Sequence, residues 1–261
     1  LYTRQETESK RSYQVYLHNL GTSQSKDELV YEETDARFSV SLGKSKSDKF
    51  LFIYSSSQDE NEVYFIEANA PNFKKTVFSK RKNGHKYSLT HVENTFYVAS
   101  NLEAPNYQLF SVPENKIHRD YWNVLVPSKD DALLSHFQVF NDYVVMTHRK
   151  NAQAYLKILN LRTKKTIDPK FNDQPHVISL LPNPNPTSGS FKFQYEDPLT
   201  PPITYSYNFD TKKKTVIKEA KIQGPYDEKE YKMERVYVRG HDNVQIPLTL
   251  IYKKGALKKA S

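Results

Sequence analysis

The stretch FLFIYSSSQDENEVYFIEAN, Phe50 to Asn69, holds two apolar runs separated by the polar segment Ser55 to Glu60. Each run is too short for a helix and is rich in Phe, Ile, Tyr and Val. The second alternates with period two, Tyr64 and Ile66 against Phe65 and Glu67, which is the signature of a strand. The stretch therefore reads as an antiparallel hairpin.

The same unit recurs along the chain. It begins at Leu1 (LYTRQETESKRSYQVYLHNLGT), Phe50, Thr95 (TFYVASNLEAPNYQLFSVP), Asp142 (DYVVMTHRKNAQAYLKILNLRT) and Ser190 (SFKFQYEDPLTPPITYSYNFDTKKK), starts that lie 45 to 49 residues apart. Between hairpins lie two more strands, for example Lys74 to Arg81 and His85 to Val92. A period in the forties carrying four short strands predicts one propeller blade per repeat, whereas helical solenoids would need a 3.6-residue stripe that no window shows. The fold class is all-β, a β-propeller of four-stranded antiparallel blades. Because Leu1 starts on a hairpin strand, the phase predicts about four and a half blades and a partial ring with open strand edges that invite self-association.

Composition agrees with strands. Only 37% of residues are apolar but 13% are aromatic, with 19 Tyr and 14 Phe, which suits half-buried sheets better than helices. The 261 residues contain no Cys, which excludes disulfides, thiolate nucleophiles and zinc ribbons and points to a cytoplasmic address. No apolar run approaches membrane-spanning length, so no membrane role is expected. The net charge of +8 is concentrated in short runs such as Lys212 to Lys214 and the tail Lys253, Lys254, Lys258 and Lys259. These runs follow polar turns without interleaved aromatics, so they read as solvated loops and no nucleic-acid partner is expected.

The chemistry of known site types is missing. None of the seven glycines builds a Gly-x-Ser-x-Gly elbow, a Walker loop or a dinucleotide fingerprint, so no catalytic residue and no cofactor is expected in this chain. His85 and His91 lie on one predicted strand without further convergent ligands, and no metal site is assigned. Glu32 with Glu33, and Asp130 with Asp131, point apart in an extended chain and read as surface or turn residues. Trp122, the single tryptophan, reads as a packing residue. The strand before each hairpin is the innermost by analogy with ordinary propellers, which makes Arg37, Tyr87, His136 and His176 the candidates for facing a central channel.

His18 to Ser57 resembles the propeller of the oligopeptidase B branch of the prolyl oligopeptidase family of serine peptidases. The resemblance is carried by Leu20-Gly21-Thr22, Asp27, Val30-Tyr31-Glu32-Glu33, Asp35 with Arg37-Phe38, and the turn Ser45-Lys46-Ser47. Ser100 to Pro113, Tyr121 to Leu134 and Tyr195 to Glu219 extend it over essentially the whole chain. It implies a ring of seven blades, of which residues 1–230 would supply the later ones. It also implies that residues 231–261, with the turn Asp242-Asn243 where relatives carry Asp-Gly, are a linker hairpin into an α/β-hydrolase domain.

The family's serine, aspartate and histidine would lie in that domain. The resemblance further implies that the propeller gates access of short peptides to them, with cleavage after Arg or Lys in this branch and after Pro in the prolyl branch. The chain alone would then hydrolyse nothing. The alternative from another class is a non-enzymatic propeller that binds peptides or proteins on one face, for which the usual Trp-Asp markers are missing.

Overall fold

A computed structural model of the chain describes residues 1–70, 73–171 and 174–256. Lys258 and Lys259 of the basic tail lie outside the described residues. The chain divides into two compact units, residues 1–128 and 129–261.

The first unit holds three antiparallel sheets. The first has the order β1 (Tyr2–Gln5), β2 (Ser12–Leu17), β3 (Glu28–Glu32). The second runs β4 (Ser39–Lys44), β5 (Phe50–Ser56), β6 (Asn61–Glu67), β7 (Thr76–Ser79), and the third β8 (Tyr87–Val92), β9 (Thr95–Ser100), β10 (Gln108–Pro113), β11 (Asn123–Val126). The second unit repeats the pattern with β12 (Leu133–Val139), β13 (Tyr143–Lys150), β14 (Gln153–Asn160), β15 (Thr166–Ile167), and then β16 (Val177–Leu180), β17 (Ser190–Glu196), β18 (Ile203–Asn208), β19 (Lys214–Glu219). A two-stranded sheet follows, β20 (Tyr231–Arg239) with β21 (Gln245–Lys253).

In each four-stranded sheet the strands pair in sequence order, so every connection within a sheet is a simple antiparallel return. This is the blade of a β-propeller. The five recurring hairpins are the second and third strands of the blades, and the three-stranded first sheet starts on the strand equivalent to β5.

β5 shows why its sequence is apolar on both sides. Phe50, Phe52 and Tyr54 join the core that the second sheet shares with the third, alongside Phe96, Phe110 and Trp122. Leu51 and Ile53 point the other way, into the core shared with the first sheet, alongside Val15, Tyr31 and Ile66. Period-two alternation thus divides one strand between two cores, because each internal blade is packed on both faces. The second unit has the same kind of core, in which Phe140, Val145 and Leu156 meet Phe191, Phe193 and Tyr207. The outer strand β19 is exposed throughout, and its sequence KTVIKE carries no buried face.

Phe96 is fully buried, with its ring 5.2 Å from Phe50, 5.4 Å from Phe65 and 5.1 Å from Phe78. Phe96→Ala is expected to cost about 3–5 kcal/mol, against less than about 0.5 kcal/mol for Val216→Ala on exposed β19. Urea unfolding of the two variants reads the difference.

Candidate functional site

The connection from β3 to β4 brings charged side chains of the first unit together. Arg37 is exposed and grips Asp35 with two guanidinium nitrogens, Nη2 at 2.7 Å and Nε at 3.2 Å, while Nη1 lies 3.8 Å from Glu60. The Arg37 side chain and backbone amide hold the Asp35 carboxyl down at about 2.

Beneath this pair lies a buried knot. Arg81, on the segment after β7, places Nη2 2.6 Å from Glu33 and 3.1 Å from Glu62, and its guanidinium covers the Phe38 ring at 3.9 Å. Ser55 and Tyr31 also donate hydroxyl hydrogens to Glu33, Tyr31 at 2.8 Å. Burial raises the Glu33 pKa, but Arg81 and the other donors more than offset that, leaving it below the ordinary carboxylate range. Burial pushes the Tyr31 hydroxyl up to about 12, so it stays a donor. The expected surface role of Glu33 is corrected: Glu32 is exposed, but Glu33 is only 4% exposed and takes hydrogen bonds from Ser55 and Arg81, 22 and 48 positions away, as well as from its neighbour Tyr31.

Tyr87, the first residue of β8, turns its ring into the core. The pairing of β6 with β7 shifts register between Val63 and Tyr64, and Tyr87 spans that irregularity. Its hydroxyl accepts from the Val63 amide at 2.8 Å and donates to the Ser79 carbonyl at 2.7 Å. His85, just before β8, contacts Ser100 Oγ through Nε2 at 2.9 Å.

His91 sits at the other end of β8, its ring enclosed by the edges of Phe50 and Phe96 at 4.8 and 4.7 Å. Nδ1 lies 2.7 Å from Ser47 Oγ and Nε2 3.0 Å from Glu114. The row has the composition of a serine–histidine–acid triad, yet the imidazole is fully buried and its acid contact lacks hydrogen-bond alignment. With no room for a substrate beside the base, its role is to tie the Ser45-Lys46-Ser47 turn to the next blade.

In the second unit, His136 is exposed on β12 beside a register shift between Leu134 and His136. His176 is 8% exposed immediately before β16, its Nδ1 2.7 Å from the Gln174 carbonyl and its ring 5.1 Å from that of Tyr195. Gln153, which also contacts His176, accepts from Arg235 of β20 at 3.4 Å and so links the hairpin to the blades. Of the four channel candidates, Arg37 and His136 present surface while Tyr87 and His176 are packed. Among the described residues no three His, Cys, Asp or Glu side chains gather as a metal site would require.

The β20–β21 hairpin is registered over nine residue pairs from Tyr231↔Lys253 to Arg239↔Gln245. Its turn contains Asn243 at φ 65°, the left-handed conformation that Asn accepts at lower cost than most residues. One face gathers Val236, Val238, Ile246, Leu248 and Leu250, and the last four are 38% to 44% exposed. No described helix is long and apolar enough to cross a membrane.

Repeated four-stranded antiparallel blades, followed by a two-stranded hairpin, define a β-propeller domain. The profile described as "Prolyl oligopeptidase, N-terminal beta-propeller domain" matches residues 1–220, and the chain belongs to that family. It is 28% identical over 250 residues to "Protease 2" of Moraxella lacunata and 29% identical over 255 residues to "Dipeptidyl aminopeptidase BI" of Pseudoxanthomonas mexicana. These alignments cover 96% and 97% of this chain but 36% and 35% of the relatives, so the chain spans about a third of their length. Oligopeptidase B from Leishmania major superposes with a TM-score of 0.89 at 21% identity, over 97% of this chain and 37% of that one, and shares its fold.

Two measurements test the buried polar contacts. Tyr87→Phe leaves the Val63 amide and the Ser79 carbonyl without their partner and is expected to cost about 1–3 kcal/mol in urea unfolding. Arg81→Met strands two buried carboxylates at an expected cost of about 3–5 kcal/mol near neutral pH. Because the folded Glu33 pKa is depressed from 4.5, its share of the stability is present above that value and is lost as pH falls through the folded pKa. The gap between wild type and Arg81→Met should therefore narrow in acid, and a gap independent of pH would refute the charge assignment.

Proposed function

We propose that this chain is the substrate-gating propeller portion of a serine oligopeptidase that cleaves short peptides, preferentially after Arg or Lys. The observation that carries the reading is the β20–β21 hairpin. It lies beyond the residues matched by the propeller profile, and its apolar face is that of a larger sheet rather than of a blade. In this reading residues 1–230 are propeller and residues 231–261 lead into a hydrolase domain. The relatives, of which this chain covers about a third, have length for such a domain.

The chemistry would be acyl transfer from peptide to a serine and then to water, with general-base activation by histidine and an oxyanion hole, all supplied by that further domain. The propeller would restrict access by size, with Arg37 and His136 on surfaces that a passing peptide meets. The cysteine-free composition supports a cytoplasmic setting.

The test compares the 261-residue chain with the protein translated from its uninterrupted reading frame. The longer protein is expected to be labelled by a serine-directed fluorophosphonate and to cleave a decapeptide after Arg at least about tenfold faster than after Pro, while sparing a folded protein of the same sequence content. The 261-residue chain is expected to show neither labelling nor turnover. Labelling of the chain itself would overturn the division of labour, and an unlabelled longer protein would leave a binding scaffold.

A further inference from the structure

Beside the outer strand β7 lies a recess of about 460 Å³, within the first unit and remote in sequence from every residue invoked above as channel-facing except Tyr87, whose side chain faces the core. Val77, Phe78, Ile117 and Trp122 provide its apolar walls, and Lys80 and Arg119 stand among them as cations. The recess is rigid where it matters. The Trp122 indole N–H donates to the Ile117 carbonyl at 3.0 Å, and the ring packs 5.4 Å from both Phe78 and Phe110.

Arg119 is held in an unusual way for a surface cation. Its guanidinium carbon lies 4.7 Å from the Trp122 ring centroid and 4.5 Å from that of Phe110, so two aromatic rings position it. The two rings stand at 63° to each other with centroids 5.4 Å apart, so they hold the guanidinium from one side and leave N–H donors for an acceptor on the other. Among the described residues neither Arg119 nor Lys80 has a carboxylate partner. The nearby carboxylate of Asp120 is committed to His118 at 3.1 Å. A ring-held guanidinium without a carboxylate partner among the described residues, beside an apolar recess, is complementary to a group that combines negative charge with an apolar body.

β7 adds a third element. It pairs only with β6 in the sheet, so its outer edge offers main-chain donors and acceptors to an extended segment. We propose that this recess binds the carboxy-terminal residue of a peptide, with an aromatic or branched apolar side chain against Trp122 and Phe78 and the terminal carboxylate on Arg119 and Lys80. The preceding residue of the peptide lies along the β7 edge. The site does not depend on the function proposed above.

Trp122 is the single tryptophan of the chain and forms a wall of the recess, so its fluorescence reports occupancy directly. The probes are the acetylated tripeptide Ala-Ala-Phe with a free carboxylate, the same tripeptide as its primary amide, and N-acetyl-phenylalanine. The free-acid tripeptide is expected to give a saturable change, the amide to bind at least about tenfold more weakly, and N-acetyl-phenylalanine to bind more weakly than the tripeptide.

Arg119→Gln is expected to weaken the acid about tenfold and to bring it level with the amide. Lys80→Gln, at an exposed position that cannot disturb the core, is expected to weaken it about threefold, and added salt to weaken it further. Circular dichroism of each variant separates lost binding from lost fold. No saturable change, equal binding of acid and amide, or binding of N-acetyl-phenylalanine without the tripeptide would each overturn the proposal.

Discussion

The fold depends on burial of both faces of its sheets. A sheet with one solvated face needs polar residues at every second position, whereas an internal blade needs apolar residues at nearly all positions of its middle strands. β5 meets that demand by sending Phe50 and Phe52 one way and Ile53 the other. Polar residues are thereby displaced to turns and outer strands. The charged and hydroxyl-rich connections of this molecule, and with them its candidate sites, are where they are because the blades leave no other place for them.

Where polar groups do enter the interior they are satisfied by residues distant in sequence. Glu33, Glu62 and Arg81 meet because the end of β3, the start of β6 and the segment after β7 come together. Tyr87 makes the related repair with a neutral group, supplying from a third sheet the hydrogen bonds that an irregular β6–β7 pairing fails to make internally. Both contacts cross between sheets, so they fix the orientation of neighbours in a way that apolar packing, which is non-directional, does not.

The architecture was legible in the sequence because it repeats. Five hairpins at a nearly constant interval reveal the second and third strands of each blade, and local alternation with polar turns is enough to find them. The family is legible in the residues His18 to Ser57 alone. The site was much less legible. That Glu33 is buried while its neighbour Glu32 is exposed follows from the pleat only once one knows that both faces of the region are not equivalent. The ring of Tyr87 bridges an irregularity in strands that precede it, and the packing of Arg119 against Phe110 and Trp122 depends on how the short 3₁₀ turn Arg119–Tyr121 folds back over its own sheet. Such contacts are set by register shifts and turn geometry, for which single residues carry no periodic signal.

The knot of Glu33, Glu62 and Arg81 has a consequence for how this sequence can change. One guanidinium serves two enclosed carboxylates, so replacing Arg81 leaves both without a counterion while replacing either glutamate leaves a single pair, whereas an apolar set of matching volume could fill the same space. Positions 33, 62 and 81 therefore act as a single mutational unit with strong epistasis. A lineage leaves this arrangement by passing through a destabilised intermediate, or by first acquiring a compensating stabilisation elsewhere.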